Sequence, residues 1–180
     1  MIATGIAVAA ALLLTRKAGA EPPPPPPPID HIPYPEEARD LSQTMTNMDV
    51  EAMRDAWITK YKVPVANQAY WHTAQLILDN TIPYPAGTVS QTMQVWIRPE
   101  WCNPGVIAHE FAHIEYWWAP NKNDFAPAFH SILATDPVLI MLHNYKPALD
   151  TNDIEAYAEI YRYLNEYMPA SLKQFYPTLV

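Results

Sequence analysis

One helix with fixed ends constrains the fold of this chain more than any other feature. In the stretch "NPGVIAHEFAHIEYWWAP", Asn103 is a favourable N-cap residue, and Pro104 suits the first helical position, where a missing amide hydrogen costs nothing. Pro120 cannot continue the helix, so the pattern ends before it. The sequence therefore predicts a helix of about four turns that begins at Pro104.

This helix carries different residues on two of its faces. His109 and His113 lie one turn apart and share a face with Val106. Two imidazoles at this spacing can reach one tetrahedral zinc ion at about 2.0–2.1 Å, and Glu110, offset around the helix, can hydrogen-bond a water molecule on that ion. The stripe predicted to face the core consists of Ile107, Phe111, Ile114 and Trp118.

The alternative interpretation is an ordinary amphipathic helix with two half-buried histidines. Composition gives roughly 0.01 accidental HExxH matches in a chain with 6 His and 180 residues. A single histidine would favour the ordinary interpretation. Two histidines four residues apart, with a glutamate directly after the first, favour a metal site.

The N-terminal residues form two segments that precede the folded domain, which we place at residues 35–180. Residues 1–20 are predicted to be an apolar signal or anchor segment. The stretch "MIATGIAVAAALLL" is apolar and uncharged, but it is shorter than the roughly 17–25 residues of a membrane-spanning helix, which is typical of the core of a signal peptide. Residues 21–34 contain "EPPPPPPP", a stiff polyproline II linker. The segment predicts anchoring to a membrane or export through one, and the side of the membrane stays open because Arg16 and Lys17 follow the apolar run.

Composition excludes one class of partner and limits the role of the single cysteine. The net charge is −8, and no basic patch is present, so we expect no nucleic acid partner. Cys102 has no second cysteine with which to form a disulfide, and we interpret it as a small buried apolar residue rather than a zinc ligand.

Hydrophobic periodicity predicts an α+β domain that is mainly helical. Residues 35–63 have helical spacing and end before Pro64, and residues 75–79 favour a strand. The stretch "VSQTMQVWIRP" alternates apolar and polar residues, which predicts one half-buried strand that Pro99 ends. A small mixed or antiparallel sheet is therefore expected beside the HExxH helix.

The strand followed by the HEFAH helix resembles the active-site region of the zincin metallopeptidases. Tyr116 and Ala119 stand where the metzincin branch has glycine and histidine, so the resemblance is to the gluzincin branch. There a later helix supplies a glutamate ligand, with an acid one turn further on. "TNDIEAYAEIYRYLNEYMP" offers such a helix, and its "EAYA" is similar to small gluzincins of the phage and mobile-element type.

By this resemblance Glu155 is the third zinc ligand and Glu159 the acid that orients His109 or His113. Glu155 has an ordinary alternative, since Asn152 and Glu155 have the spacing of a capping box. The other residues that we consider as third ligand are His130, His143, Asp124 and Asp136.

The resemblance implies a zinc-dependent endopeptidase with one Zn²⁺ per chain and a protein or peptide substrate. Glu110 would be the general base. The residues considered for stabilising the oxyanion or contacting substrate are His143, His130, Tyr116 and Tyr157. The resemblance also implies that an extended substrate pairs with a strand edge at Gln94–Arg98. The alternative function is a catalytically silent zinc-binding interaction module, tethered to a membrane or surface.

Overall fold

The computed structural model describes residues 46–60, 62–164 and 167–179. The predicted apolar segment 1–20, the linker 21–34 and the beginning of the predicted helical region 35–63 lie outside these residues. Within them the chain has an α+β fold that is mainly helical and contains a small mixed sheet.

Helices precede and follow the sheet along the chain. Short 3₁₀ turns lie at Ser90–Thr92, Pro99–Trp101, Lys122–Asp124 and Pro147–Asp150. The helices are α1 (Asn47–Lys60), α2 (Val65–Thr73), α3 (Pro104–Trp118), α4 (Phe125–Ile132), α5 (Pro137–Tyr145), α6 (Asp153–Tyr163) and α7 (Ala170–Lys173). The strands are β1 (Gln75–Leu78), β2 (Ala86–Val89) and β3 (Gln94–Ile97).

The sheet has the order β1-β3-β2, with β3 parallel to β1 and antiparallel to β2. The single strand predicted from the alternation after Val89 is wrong, because the chain turns between Val89 and Gln94 and pairs these two residues across a hairpin. Met93 makes the turn with a positive φ of 53°. The prediction of a free edge at Gln94–Arg98 is also wrong, since β3 is the central strand. The edge strand next to α3 is β2.

Helices α3 and α6 pack against each other through a core of stacked aromatic rings. The rings of Trp71 and Phe111 lie 3.9 Å apart, centroid to centroid, and Trp57 stacks on both Trp71 and Tyr161. These four residues come from α2, α3, α1 and α6, so a single cluster joins four helices. Burial of such large rings contributes about 1.5–3 kcal/mol for each side chain.

The ends of α3 follow the predicted caps, but its last residue departs from the predicted stripe. The Asn103 side chain accepts hydrogen bonds from the backbone N–H groups of Gly105 and Val106, each at 2.9 Å. Ile107, Phe111 and Ile114 are buried as predicted. Trp118 is 54% exposed, because its indole N–H donates to the carbonyl of Ser90 at the surface.

The C-terminal segment connects α3 and α6 through buried polar contacts. The Glu115 carboxyl on α3 lies 2.8 Å from both the backbone nitrogen and the hydroxyl of Thr178. On α6, the Tyr161 hydroxyl bonds to the Thr178 hydroxyl at 2.8 Å, and the Tyr157 hydroxyl donates to the Phe175 carbonyl at 2.7 Å. Both helices are thus tied to one segment of chain.

Within the described ranges, no single helix is both long and apolar enough to cross a membrane. The segments Lys122–Ile132 and Pro137–Tyr145 together reach the required length and composition, and they bend by 95° where they meet. Phe129 and Leu139, one from each segment, are fully buried in the protein core.

Replacing Glu115 by glutamine will change how stability depends on pH. Burial raises the pKa of Glu115 from 4.5 to about 8, while hydrogen bonds from Thr178 and Tyr161 oppose the rise. The folded state therefore keeps a proton that the unfolded state releases, so the free energy of unfolding falls as pH rises from 4.5 to 8, by about 1.4 kcal/mol per pH unit. A glutamine at this position has no such proton and keeps both contacts to Thr178.

We expect the stability difference between Glu115→Gln and the unchanged chain to grow in favour of glutamine from pH 5 to pH 8. Urea unfolding in the presence of a chelator measures it. Glu115→Ala is the control, and it will be less stable at pH 5 by about 1–3 kcal/mol because the Thr178 N–H loses its partner. A difference that does not vary with pH would show that Glu115 is ionised in the fold.

Candidate metal centre

Three side chains from two helices converge on one point in the structure. The Nε2 atoms of His109 and His113 on α3 lie 3.2 Å apart. The Glu155 carboxylate on α6 lies 3.3 Å from His109 Nε2 and 3.5 Å from His113 Nε2. Because His109 also lies near Glu159 and His113 near Glu155, the two helices run in opposite directions.

The distances between these donor atoms fit a tetrahedral metal ion. Bonds of about 2.0–2.1 Å at tetrahedral angles place neighbouring ligand atoms about 3.3–3.4 Å apart. The separation of the two nitrogens lies close to that value, and each imidazole has one Glu155 oxygen within 3.5 Å, Oε2 beside His109 and Oε1 beside His113. Two imidazole nitrogens and a carboxylate oxygen can therefore hold a metal ion, with a fourth position open to the cleft.

The protonation of His113 and Glu155 also suits a metal ion. Burial lowers the pKa of His113 from 6.5 to about 4, helped by the neighbouring His109 and opposed by the charge of Glu155. A hydrogen bond from His109 lowers the pKa of Glu155, against the effect of partial burial. At neutral pH His113 is thus uncharged and Glu155 ionised, which are the forms that bind metals.

Glu159 lies behind His109 and connects it to a lysine. Its Oε1 atom is 3.7 Å from His109 Nδ1 and 3.8 Å from the Lys146 ammonium. Both His109 Nδ1 and Glu159 Oε2 are buried without a hydrogen-bond partner among the described residues. A carboxylate in this place fixes the ring orientation and the tautomer of a ligand histidine once the ring shifts toward it.

Glu110 points into the same cleft and is held by the edge strand β2. The Thr88 hydroxyl lies 2.7 Å from Glu110 Oε2 and 3.0 Å from the Glu110 backbone carbonyl. Its one proton goes to the carboxylate, the stronger acceptor. Burial raises the pKa of Glu110, while the charge of His109, the Thr88 hydrogen bond and the charge of Arg162 oppose the rise. A buried carboxylate with a raised pKa is suited to accept a proton.

The cleft around these residues has a volume of about 1310 Å³. One wall is β2, which runs beside α3, and α6 forms part of the opposite wall. Two exposed aromatic side chains line it, Trp101 before the start of α3 and Trp117 near the end of that helix.

The remaining residues from the sequence analysis lie in different places. Tyr116 lines the cleft one turn after His113. Tyr157 is buried in the core, where its hydroxyl is bonded to the Phe175 carbonyl, and so it does not reach the cleft. His130 pairs with Asp153 at 2.7 Å and His143 with Asp150 at 3.6 Å, both at the surface outside the cleft.

The other acids considered as third ligand, Asp136 and Asp124, do not line the cleft. Asp136 caps α5 by accepting from the N–H groups of Val138 and Leu139, and Asp124 is exposed in a 3₁₀ turn. Among the described residues, the only three-membered group of His, Cys, Asp and Glu able to hold a metal is His109, His113 and Glu155. Glu155 turns toward the histidines, while Asn152 caps α6 by itself.

Three residues of the cleft were not predicted from the sequence. Thr88 carries no motif, and its role depends on the hairpin between β2 and β3. Lys146 directly follows α5 and reaches the cleft because the chain folds back through residues 147–150 to α6. Arg162 follows Glu159 by three residues on α6, and helical spacing places it on one charged stripe with Glu155 and Glu159, but that stripe could equally have faced water.

Replacing Glu155 by alanine will abolish stable metal binding. The variant leaves two imidazoles without the carboxylate that completes the set, so we expect one zinc per unchanged chain and almost none in the variant. Zinc loading followed by dialysis and elemental analysis gives the ratio. His130→Ala and His143→Ala are matched controls that will keep their zinc. Full retention of zinc in Glu155→Ala would rule out this ligand set.

Replacing Glu159 by alanine will weaken metal binding without removing it. Loss of the group that orients a ligand histidine typically costs about 10- to 100-fold in metal affinity. Competition with a chelator of known affinity measures the change, and Glu159→Gln, which keeps an acceptor oxygen, will lose less. Glu51→Ala on the exposed side of α1 is the control. An unchanged Kd in Glu159→Ala would show that His109 is oriented by other groups.

Comparison with known proteins identifies no relative of this chain. No protein-family model, no curated protein and no solved structure matches it. What the site does is therefore inferred from its own residues and their geometry.

Proposed function

We propose that the chain is a zinc-dependent endopeptidase whose centre is formed by His109, His113 and Glu155. The observation that carries the proposal is the convergence of these three side chains, whose nearest nitrogen–nitrogen and nitrogen–oxygen distances are 3.2–3.5 Å, with Glu110 beside them in the same cleft. Two histidines, one carboxylate and an open fourth position are a ligand set of catalytic zinc. The resemblance of HEFAH and EAYA to the gluzincins supports the same function.

Glu110 handles the proton in this mechanism. Zinc, when bound, would polarise a water molecule and the carbonyl group of the substrate. Because Thr88 donates to Oε2 of Glu110, Oε1 is the oxygen that accepts the proton of the attacking water. Glu110 then delivers this proton to the leaving amine. The raised pKa of Glu110 makes its carboxylate a stronger base and so favours the first of these transfers.

Tyr116 would stabilise the oxyanion, and strand β2 would bind the substrate backbone. Of the four residues considered for the oxyanion, Tyr116 is the one that lines the cleft. Burial and the charge of Asp153 raise its pKa, so its hydroxyl keeps its proton and can donate to a developing negative charge. The substrate would pair with β2, which is the sheet edge that faces the cleft, in place of the residues 94–98 expected from the sequence.

The proposal extends to how the domain is presented. The apolar segment at residues 1–20 would anchor the chain to a membrane or direct its export, and the polyproline linker would hold the domain away from that surface. Its partner would be a protein or peptide substrate.

Glu110→Gln separates the peptidase from a catalytically silent zinc-binding module. Glutamine has the same shape but cannot take up the proton, so cleavage of an unfolded protein will fall by about 10²- to 10⁴-fold while zinc is retained. Glu100→Gln is the matched control, because Glu100 also lines the cleft but pairs with Arg98. Two outcomes would favour the binding module. One is a zinc-loaded unchanged chain that cleaves no substrate, and the other is a zinc-loaded Glu110→Gln variant whose activity equals that of the unchanged chain.

A further inference from the structure

The main chain of Thr88 is unpaired on the side of β2 that faces away from β3. The backbone N–H of Arg98 donates to the carbonyl of Pro85 at 2.9 Å, so these two residues form a hydrogen-bonded pair beside the start of β2. Hydrogen-bonded and non-hydrogen-bonded pairs alternate along antiparallel strands, and Thr88, opposite Val95, lies in a non-hydrogen-bonded pair. The N–H and C=O of Thr88 therefore point to the free edge of the sheet.

Ala86, two residues earlier on β2, has the same orientation. Ala86 and Thr88 both line the cleft, and within the described ranges no group forms a hydrogen bond with the main chain of either residue. Pro85 has no N–H, and the chain leaves the strand for a 3₁₀ turn at Ser90, so the free edge is limited to these two residues. An extended chain that pairs with β2 would thus be bound at two positions about 7 Å apart.

The side chain of the same Thr88 contacts the general base on α3. Its hydroxyl lies 2.7 Å from Glu110 Oε2 and 3.0 Å from the Glu110 carbonyl. Glu110 is only 7% exposed, so water is a poor substitute for this hydroxyl as a donor to Oε2. Ser90 makes a second contact between the two elements, since its hydroxyl donates to the His113 carbonyl at 3.3 Å. The edge of β2 therefore has a fixed position relative to Glu110.

We propose that Thr88 couples binding of the substrate main chain to the position of the general base. Its N–H and C=O would pair with one residue of an extended substrate, while its hydroxyl holds Oε2 of Glu110 and leaves Oε1 for the proton. This inference rests on the proposed peptidase function. Through its hydroxyl Thr88 is a positioning residue, because that group acts on the reaction only through Glu110.

The coupling restricts which substrates the chain accepts. A substrate residue that donates its N–H to Thr88 or Ala86 cannot be proline or an N-methylated residue, because neither has an amide hydrogen. The residue between these two positions faces away from β2 and tolerates the change. The substrates are therefore extended, unfolded segments with amide hydrogens at two alternating positions.

Thr88→Val removes the hydroxyl and nearly preserves the shape of the side chain. In the zinc-loaded variant we expect kcat per bound zinc to fall by about 10- to 100-fold, because the base is misplaced. KM will stay nearly unchanged, since the main chain of residue 88 still pairs with the peptide. Thr88→Ser keeps the hydroxyl and will restore most of kcat. Thr92→Val is the control, because Thr92 lies outside the cleft and its hydroxyl contacts the Gln94 side chain at 3.0 Å.

Hydrogen exchange, followed by NMR, tests the main-chain part without any need for cleavage. In the zinc-loaded Glu110→Gln chain, the amide hydrogens of Ala86 and Thr88 will exchange faster than that of Gly87, which is paired with β3. An excess of a short unstructured peptide without proline will slow exchange at Ala86 and Thr88. The same peptide with every amide N-methylated will not. Exchange that the unmodified peptide leaves unchanged would overturn the coupling.

These measurements separate failure of the coupling from failure of the peptidase. If Glu110→Gln abolishes cleavage but Thr88→Val has the kcat of the unchanged chain, the coupling is overturned and the peptidase stands. If the unchanged chain cleaves nothing, the peptidase fails, and crystal structures of the zinc-loaded variants decide the coupling. The Glu110 carboxylate will have left β2 in Thr88→Val and kept its place in Thr88→Ser. The same position in both variants would overturn the coupling.

Discussion

The contact between α3 and α6 is the constraint on which the rest of the structure depends. It brings the Glu155 carboxylate to two imidazoles that stand more than forty residues earlier in the chain. Because the two helices run in opposite directions, the same contact also sets Glu159 behind His109 and brings Arg162 and Tyr163 to the lining of the cleft. A small rotation of either helix would separate all of these groups at once.

The fold opposes such a rotation from two sides. The stacked rings around Trp71 join α3 and α6 to α1 and α2, while the buried bonds of Thr178 join α3 and α6 to the C-terminal segment. The centre itself brings two imidazoles and carboxylates into a partly buried space, which is unfavourable without a cation. Aromatic packing and the C-terminal segment therefore supply the stability that the site lacks, and a bound metal ion would add to it.

Much of the fold and part of the site could be predicted from the sequence, for physical reasons that are specific to each element. Asn103, Pro104 and Pro120 determine α3 locally, and helical spacing alone places His109 and His113 on one face. The hairpin between β2 and β3 could not be read from the alternation, because the 3₁₀ turn at Ser90–Thr92 lies between two apolar stretches that continue the same period. The contributions of Thr88 and Lys146 depend on tertiary contacts. The hydroxyl of Tyr157 points into the core, where it donates to the Phe175 carbonyl. Local sequence patterns could not predict this, because they do not show where the C-terminal segment packs.

The central claim is that both imidazoles and one carboxylate oxygen bind a single zinc ion. X-ray absorption at the zinc edge of the loaded chain tests this most directly, because it reports the number and kind of atoms around the metal. The account predicts two imidazole nitrogens and oxygen ligands at about 2.0–2.1 Å, in fourfold coordination. A shell that contains sulfur at about 2.3 Å, or one with fewer than two imidazoles, would contradict it.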